Sequence, residues 1–599
     1  MSKSNLTWDL EAIYSNPKDW DKDFDCLQAL AEKFASFQGR LAESAEVLAQ
    51  AFEANDNLSR LAEKLYTYAH LKSDEDTSIN CNRARVDKLR AKFANLAPLE
   101  TWFDPEFAQI PEEKVKEFMT QDVLKLYKRT MSEMLRTRIH TLSNAEEKML
   151  GILSDVHSSS AKTFETLNDA DLDFGKIKND ENKSVPLTHG SYRTFLESSD
   201  RATRKRAFNK LYKTYKKFRN TFASTLEGCV KLHNAKALLR NYSSSLSASL
   251  EGDNVPESIY RNLIATVHDN LAPLQDYLKL RTQILKIDNL DMYDMFNPLV
   301  PSCKKEYSFA EAEKLVKAAF LQPLGQEYVN DLSLAFSQRW IDVEERPGKR
   351  SGAYSGGCYD TYPYVLLNYN NTLNDVFTLA HELGHSMHSF YSKKTQPYHS
   401  SDYEIFVAEV ASTVNEVLLY EYLMENSKDK DFRIYLGCHM ADEIRGTIYR
   451  QTMFAEFELL IHEDAANNIP LTADHLSKKY YDLNKLYHND GIVNPDKLIE
   501  LEWARIPHFY YNFYVYKYAT GMSAALRIAS NLKKNVPGAR EKYLKFLSSG
   551  DSKDVLDLLI DTGVDLNTSE PVEAALSYFD TVVQSLRKEL DKWVLIYLC

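Results

Sequence analysis

Along most of the chain, apolar residues recur three and four positions apart, which is the spacing of an amphipathic helix. The segments LQALAEKFASF (27–37), LSRLAEKLYTYAHL (58–71) and KLRAKFANLAPLETWF (88–103) show the pattern clearly. No repeat of fixed period accompanies it. The sequence therefore predicts a mainly α-helical protein.

The clearest strand pattern lies in the middle of the chain. Residues 361–370, TYPYVLLNYN, are rich in β-branched and aromatic side chains. Gly352, Gly356 and Gly357 precede this run, and glycines at such a place are typical of a tight turn. We expect a small sheet within the helical fold.

One polar stretch divides the chain. The segment KNDENKSVPLTHGSY, residues 178–192, is polar and contains Pro186, a combination that favours a boundary between two regions. We therefore place a boundary near residue 185, between an N-terminal helical region (1–185) and a second region (186–599).

Composition and charge narrow the classes of function. The 599 residues are 44% hydrophobic and 27% charged, as in an ordinary protein with a large core. The 73 basic and 86 acidic residues give a net charge of −13, which argues against a nucleic-acid partner. The basic run at 201–219 is interpreted as the solvated face of a helix whose other face is apolar.

The cysteines and the apolar segments bear on the cellular compartment of the protein. The seven cysteines are scattered and form no CxxC pair, which favours free thiols in a reducing cytoplasm. The N-terminal segment lacks the apolar core of a signal peptide, and no stretch approaches the roughly 20 apolar residues of a membrane span. We expect a cytoplasmic protein without a membrane partner; the oligomeric state stays open.

A metal-binding motif follows the predicted strand. His381, Glu382 and His385 form HExxH, and on a helix the two imidazoles lie one turn apart and point the same way. Thr372 and Asp375 fit a capping box that begins this helix. Zinc suits imidazole ligands, and a catalytic zinc site has three protein ligands.

A second predicted helix supplies the third ligand. Glu409 lies among apolar residues in the segment SSDYEIFVAEVASTVNEVLLYEY, where an acid is costly unless it is paired or bound to a metal. Glu404 and Glu416 are alternatives. His388 and His399 are interpreted as residues beside the site or on the surface.

The motif and its surroundings resemble a known family. HExxH followed 24 residues later by Glu409, in the setting HELGHSMH…FVAEVAST, resembles the thimet oligopeptidase-like metallopeptidases. The segments TWDLEAIY, PGKRSGAYSGG, YPYVLLNYNNT and IPHFYYNFYVYKYATG are similar to the oligoendopeptidase F branch of that family. The resemblance covers most of the chain and is strongest from about 340 to 525.

The resemblance implies a fold, a cofactor and an activity. It implies a mainly α, two-lobed, zincin-type metallopeptidase with a small β-sheet at the active site and a deep substrate channel. It further implies that one zinc ion per chain is bound by His381, His385 and Glu409, with Glu382 as catalytic acid and base. The substrates that it implies are short peptides, cut at internal bonds.

Further residues are expected to contact the substrate. His508 and Tyr511 are predicted to donate hydrogen bonds in the transition state, since one helical turn separates them if the segment is helical. The predicted substrate-contacting residues are Tyr514, Tyr518, Gly356, Gly357 and Tyr364. The thimet branch has a Gly-Gly-Tyr stretch that this segment lacks, so the tyrosine assignment stays open within 510–518.

Two alternatives remain at this point. An exopeptidase would use the same zinc chemistry with a charged group that holds a peptide terminus. A helical scaffold that binds peptides without cleaving them would need a motif that holds no metal. Mapping of cleavage products distinguishes the first, and zinc content the second.

Overall fold

The computed structural model describes residues 6–300, 305–488 and 491–597, and its fold is mainly helical, as predicted. Within these residues the helices are α1 Pro17–Ala35, α2 Ala45–Glu75, α3 Asn80–Leu96, α4 Phe103–Phe107, α5 Glu112–Met119, α6 Lys128–Thr137, α7 Asn144–His157, α8 Ser159–Glu165, α9 His189–Leu196, α10 Arg201–Leu239, α11 Ser245–Leu250, α12 Glu257–Asp269, α13 Ala272–Leu285, α14 Phe309–Ser337, α15 Leu373–Thr395, α16 Ile405–Asn426, α17 Lys430–Ile444, α18 Arg450–Ala466, α19 Ala473–His488, α20 Tyr516–Lys533, α21 Ala539–Leu547, α22 Val555–Thr562 and α23 Glu570–Tyr597.

Two small sheets accompany the helices. Their strands are β1 Lys176–Lys178, β2 Ser184–Pro186, β3 Ile341–Asp342, β4 Tyr354–Gly356 and β5 Tyr364–Leu366. The first two strands form an antiparallel pair, and the other three have the order β3-β5-β4. β5 runs parallel to β3 and antiparallel to β4. β5 confirms the strand predicted from the sequence, and it is the central strand, whereas β4 is an edge.

The described residues group into two compact units. The first draws on the ranges 1–147, 305–419 and 528–563, and the second on 148–304, 420–527 and 564–599. Each unit therefore combines three stretches of chain. The division at residue 185 concerned sequence regions, and it stays a prediction.

Aromatic residues fill the core of the first unit. Phe52 stacks on Tyr127 with ring centroids 4.5 Å apart, and Phe34 packs on Trp102 at 5.0 Å. All four side chains are buried. Their large apolar area is what holds α1, α2 and the short helices around them together.

A buried ion cluster fixes the loop before β4. Asp342 at the end of β3 is fully buried, and it accepts hydrogen bonds from Arg346 at 2.6 Å and from Lys349 at 2.7 Å. Lys349 also donates to the Leu367 carbonyl just after β5. Because a buried carboxylate needs such partners, the cluster ties the loop to the sheet and sets where β4 begins.

The longest helix, α10, lies in the second unit. Asp200 caps its N-terminus by accepting from the backbone N–H groups of Ala202 and Thr203. Its apolar face is buried, whereas the basic residues of the run at 201–219 that face away from it are exposed. This confirms the predicted amphipathic helix with a solvated basic face. Among the described residues, no helix has both the length and the apolarity that crossing a membrane requires.

Candidate metal centre

The HExxH motif lies on α15, in the first unit. Thr372 accepts from the backbone N–H of Asp375, and the Asp375 carboxylate accepts from the Thr372 backbone N–H in return. This is the predicted capping box, and it begins the helix two turns before the motif. His381 and His385 consequently present their rings on the same side of α15.

Helix α16 approaches α15 unusually closely at one glycine. A Cβ atom on Gly384 would lie 2.5 Å from the Ser412 Cα and 2.7 Å from the Ala411 carbonyl oxygen. Asn415 on α16 also donates to the Ala380 carbonyl at 3.0 Å. The close crossing places Glu409, one turn before Ser412, beside the two histidines.

Three donor atoms converge at this crossing. His381 Nε2 lies 3.2 Å from His385 Nε2, and Glu409 Oε2 lies 3.5 Å from the first and 3.6 Å from the second. Among the described residues, this trio is the only group of histidine, cysteine and carboxylate ligands within metal-binding reach. Tetrahedral zinc with ligands at about 2.0–2.1 Å sets neighbouring donors about 3.3–3.4 Å apart. The donor set therefore fits zinc in both chemistry and spacing.

Other side chains orient the three donors. Glu416 accepts a hydrogen bond from His381 Nδ1, which turns Nε2 of that ring toward the other donors. Ser412 Oγ donates to Glu409 Oε2 at 3.0 Å. Glu416 thus contacts the far side of His381, while Glu404, the other alternative ligand, is exposed before α16 begins.

Glu382 is buried beside the donors. Glu382 is 6% exposed. This burial, together with the negative charges of Glu409 and Glu416, raises the pKa of its carboxyl to about 7. The charge of His381 and a hydrogen bond from the Ser355 backbone N–H on β4 oppose this rise. The carboxyl can therefore both accept and release a proton near neutral pH.

The two histidines respond differently to their surroundings. Burial acts to lower the pKa of His381, but the hydrogen bond to Glu416 and the neighbouring carboxylates outweigh it and raise that pKa to about 9. Burial and the charge of His381 lower the pKa of His385 to about 4. His385 is thus held neutral, as a metal ligand must be.

The remaining histidines near the motif do not face the donors. His388 is fully buried and stacks on Tyr403 with ring centroids 3.7 Å apart. His399 hydrogen-bonds the Leu126 carbonyl at 2.7 Å. His388, on α15 itself, and His399, just after that helix, make these structural contacts and are not members of the trio.

The predicted late aromatic residues lie together in the second unit. The ring of His508 has its centroid 5.6 Å from Tyr511, 6.2 Å from Tyr514 and 6.0 Å from Tyr518. The Tyr518 hydroxyl lies 3.4 Å from His508 Nε2. The segment is not one helix, contrary to the basis of the prediction: a 3₁₀ turn at Pro507–Tyr510 is followed by a bend before α20.

The residues predicted to contact substrate near the sheet have different environments. Tyr364 is on the central strand, is fully buried, and donates its hydroxyl to the Asp9 carbonyl at 2.6 Å. Its side chain therefore belongs to the core. A Cβ on Gly357 would lie 2.6 Å from the Tyr362 carbonyl oxygen, so the turn itself requires glycine there. Gly356, on edge strand β4, has no such close neighbour.

Besides the contact from Ser412, the roles of three residues of the centre were not identified from the sequence. Glu416 was considered only as a ligand, although its spacing of seven from Glu409 places both on one face of a helix. Gly384 lies inside the motif. Because glycine destabilises the interior of a helix, its presence there could have indicated that another segment packs too closely for a Cβ atom. The hydrogen bond from Ser355 joins β4 to Glu382 across the fold, and no local pattern indicates it.

A helical fold with two HExxH histidines and a glutamate from a second helix defines a class, the metallopeptidases. The model of the family described as Peptidase family M3 matches residues 194–578, and that of Oligopeptidase F matches residues 106–174. The chain belongs to peptidase family M3.

Individual relatives match nearly the whole length of the chain. Oligopeptidase PepF of Bacillus subtilis is 43% identical over 98% of this chain and 88% of its own length. The crystal structure of oligoendopeptidase-F from Enterococcus faecium has a TM-score of 0.76 at 34% identity, covering 96% of this chain and 99% of that one. A protein from Chlamydophila abortus gives a TM-score of 0.91 at 36% identity, covering 98% and 99%.

These findings confirm the predicted resemblance to the oligoendopeptidase F branch. They also confirm the predicted class of activity, a metalloendopeptidase acting on oligopeptides. The alternative of a scaffold that binds peptides without cleaving them is therefore set aside.

Proposed function

We propose that this protein hydrolyses internal bonds of short peptides with one zinc ion bound by His381, His385 and Glu409. The observation that carries the proposal is the triangle of donor atoms, 3.2 to 3.6 Å on its edges, beside a buried glutamate. We further propose that the enzyme acts in the cytoplasm, on peptides and not on nucleic acid.

When bound, the zinc ion supplies Lewis-acid polarisation of the scissile carbonyl and lowers the pKa of a water molecule. Glu382, next to His381 in sequence and buried, takes a proton from the attacking water and later passes it to the leaving amine. Glu416 holds His381 in the orientation that ligation needs. Ser412 does the same for Glu409.

We assign transition-state and substrate contacts to the aromatic cluster. His508 and Tyr511 offer neutral hydrogen-bond donors for the oxygen on which negative charge develops. Tyr514 and Tyr518 offer aromatic faces and hydroxyl groups to the substrate. The support for these roles is the clustering of all four rings in one part of the second unit.

Edge strand β4 is the proposed docking site for the peptide main chain. One side of β4 pairs with β5, and an extended peptide can add to the other side by main-chain hydrogen bonds. Such binding tolerates many sequences because every peptide has the same backbone. Gly356 and Gly357 keep their proposed place here, whereas the buried Tyr364 does not.

The test is a digest of mixed peptides of about five to forty residues, read by mass spectrometry with and without a chelator. Internal cuts that disappear with the chelator and return with zinc support the proposal. The matched control is Glu382→Gln, which should keep zinc but lose nearly all turnover, by at least about a hundredfold. Stepwise loss of terminal residues would instead identify an exopeptidase, and no cleavage by zinc-loaded protein would contradict the proposal.

A further inference from the structure

The aromatic cluster is presented by a reversal of the chain that is unfavourable for its residues. Asn512 and Phe513 have φ values of 51° and 60°, in the left-handed region. Asparagine tolerates this region, but a bulky residue such as phenylalanine adopts it only where surrounding contacts hold it. Tyr511 and Tyr514 stand on either side of this reversal, so whatever holds it also sets where they point.

A buried glutamate makes the central contact. Glu458 on α18 is fully buried, and its Oε1 accepts a hydrogen bond of 2.6 Å from the Phe513 backbone N–H. Its Oε2 has no hydrogen-bond partner among the described residues. Burial raises the pKa of this carboxyl to about 8. A carboxyl is costly at such a place, and its one side-chain hydrogen bond goes to the reversal.

Neighbouring residues complete the hold on Asn512. Ser249 Oγ donates to the Asn512 carbonyl at 2.6 Å, and Ser245 Oγ to the Asn512 side-chain oxygen at 3.1 Å. The Phe513 ring is 1% exposed and lies 4.4 Å from the His462 ring, centroid to centroid. Backbone and ring are thus both fixed at this point.

The two fixed residues lie between two more exposed ones. Phe513 is buried, whereas Tyr511 is 52% exposed and Tyr514 is half-buried. The Tyr511 and Tyr514 rings meet edge to face with centroids 6.5 Å apart, and both lie around His508. The reversal between them is what brings two side chains three residues apart to one ring.

We propose that Glu458 is a positioning residue for the peptidase reaction, which fixes the Asn512–Phe513 reversal through the Phe513 N–H and so presents Tyr511 and Tyr514 to the substrate. This rests on the role proposed above for the aromatic cluster. Glu458 itself touches neither the metal donors nor the four rings of the cluster in any described contact. It acts through the backbone alone.

Two substitutions separate the hydrogen bond from the carboxyl. Glu458→Ala removes the acceptor, and we expect kcat to fall about tenfold or more, since small misplacements of catalytic groups cost that much. Zinc content should stay within about a factor of two, because the metal donors are unaffected, and KM should rise only as far as the misplaced Tyr514 contributes to substrate binding. Glu458→Gln keeps an oxygen that accepts from the Phe513 N–H, and we expect it to retain most of the activity.

A double-mutant cycle with Tyr511→Phe tests whether the effect passes through the cluster. If Glu458 acts by placing Tyr511, Glu458→Ala should lower kcat much less in the Tyr511→Phe background than in the wild type. A merely destabilising substitution would lower kcat equally in both. Should Glu458→Ala fail to fold, Ser249→Ala weakens the same reversal at Asn512, and the same non-additivity is expected.

The outcomes are distinguishable. Glu456→Gln is the matched control, since Glu456 lies on the same helix but pairs with His268 and Tyr487; it should not change kcat. Additive effects, or a kcat unchanged by Glu458→Ala while Tyr511→Phe lowers it, would overturn the inference alone. If Tyr511→Phe leaves kcat unchanged, the proposed role of Tyr511 is wrong, and the inference falls with it, although the zinc peptidase activity stands.

Discussion

Three glutamates at the candidate metal centre have different roles, although their side chains are the same, because their surroundings differ. Glu409 lies beside two imidazole nitrogens and so completes the proposed ligand set. Glu416 accepts from the far nitrogen of His381 and orients that ring. Glu382 is buried, and this burial outweighs the opposing charge of His381 and raises the pKa of its carboxyl to about 7. Their positions, and not their chemistry, distinguish the proposed ligand, the group that orients His381 and the proposed acid–base.

The first prediction concerns Glu416. Glu416→Ala removes the acceptor for His381 Nδ1, so the ring loses its fixed orientation and part of its basicity. We expect zinc affinity to fall about ten- to a hundredfold, the usual effect of losing such a partner. Competition with a chelator of known affinity measures it directly, without any assay of activity.

Two other glutamates provide the comparison. Glu409→Ala removes a ligand and should weaken zinc binding more than Glu416→Ala does. Glu404→Ala, at an exposed position before α16, should leave it unchanged. Equal losses for Glu416 and Glu409, or a loss at Glu404, would show that the ligand set is assigned incorrectly.

At the scale of elements, the centre depends on how closely α15 and α16 cross. The second prediction is that Gly384→Ala separates these helices, since the new Cβ would lie 2.5 Å from the Ser412 Cα and 2.7 Å from a carbonyl oxygen. Both are backbone atoms, so no change of side-chain rotamer can relieve the clash. We expect a loss of stability of about 1–3 kcal/mol, typical of overpacking, together with weaker zinc retention.

A second helical glycine serves as the control for Gly384. Gly437 on α17 has room for a Cβ, whose nearest neighbour would be Leu586 Cδ1 at 3.5 Å. Gly437→Ala should be neutral or stabilising, because alanine is the better helix former. Thermal unfolding and zinc content of both variants decide the matter; a Gly384→Ala protein with full zinc retention would contradict the prediction.

The elements also show what the sequence can predict. The capping box of Thr372 and Asp375 is a local pattern of four residues, so the sequence alone correctly predicted where α15 begins. Tyr364 was correctly placed in a strand, but its central position comes from pairing with β3, more than twenty residues earlier. The late aromatic segment was expected to be helical, and the bend at Phe513 depends on Glu458, 55 residues away. Local capping and periodicity were predictable, whereas contacts between distant segments were not.

At the scale of the whole molecule, the second unit is organised around a buried carboxylate. Glu502 is 3% exposed; it accepts from Arg450 at 2.9 Å and from the Tyr480 hydroxyl at 2.6 Å, and Arg505 lies at 3.3 Å. Tyr212 on α10 donates to the same carboxylate at 3.3 Å. One side chain thus joins α10, α18, α19 and the 3₁₀ segment Lys497–Arg505.

The last prediction follows from removing this charge. Glu502→Gln leaves Arg450 and Arg505 without their buried counter-charge, and breaking such a pair costs about 3–5 kcal/mol. The cost must depend on pH. Burial acts to raise the pKa of Glu502, but Arg450 and Arg505 outweigh it and lower that pKa from 4.5 to about 2. The folded form therefore binds fewer protons than the unfolded form between these values, and the contribution of Glu502 to stability is lost as the pH falls.

Urea unfolding of the wild type and of Glu502→Gln at several pH values measures this difference. The difference in unfolding free energy should be constant above about pH 5, where Glu502 is ionised in both forms, and should shrink steadily toward pH 2. Effects of the metal centre cancel, because both proteins contain it. Glu500→Gln, two residues earlier, removes an ion pair of 3.4 Å with the exposed Lys497, the one salt bridge of Glu500 among the described residues, and should change stability by less than about 1 kcal/mol. A Glu502→Gln difference that stays constant down to pH 2.5 would mean that the arginines do not stabilise this charge.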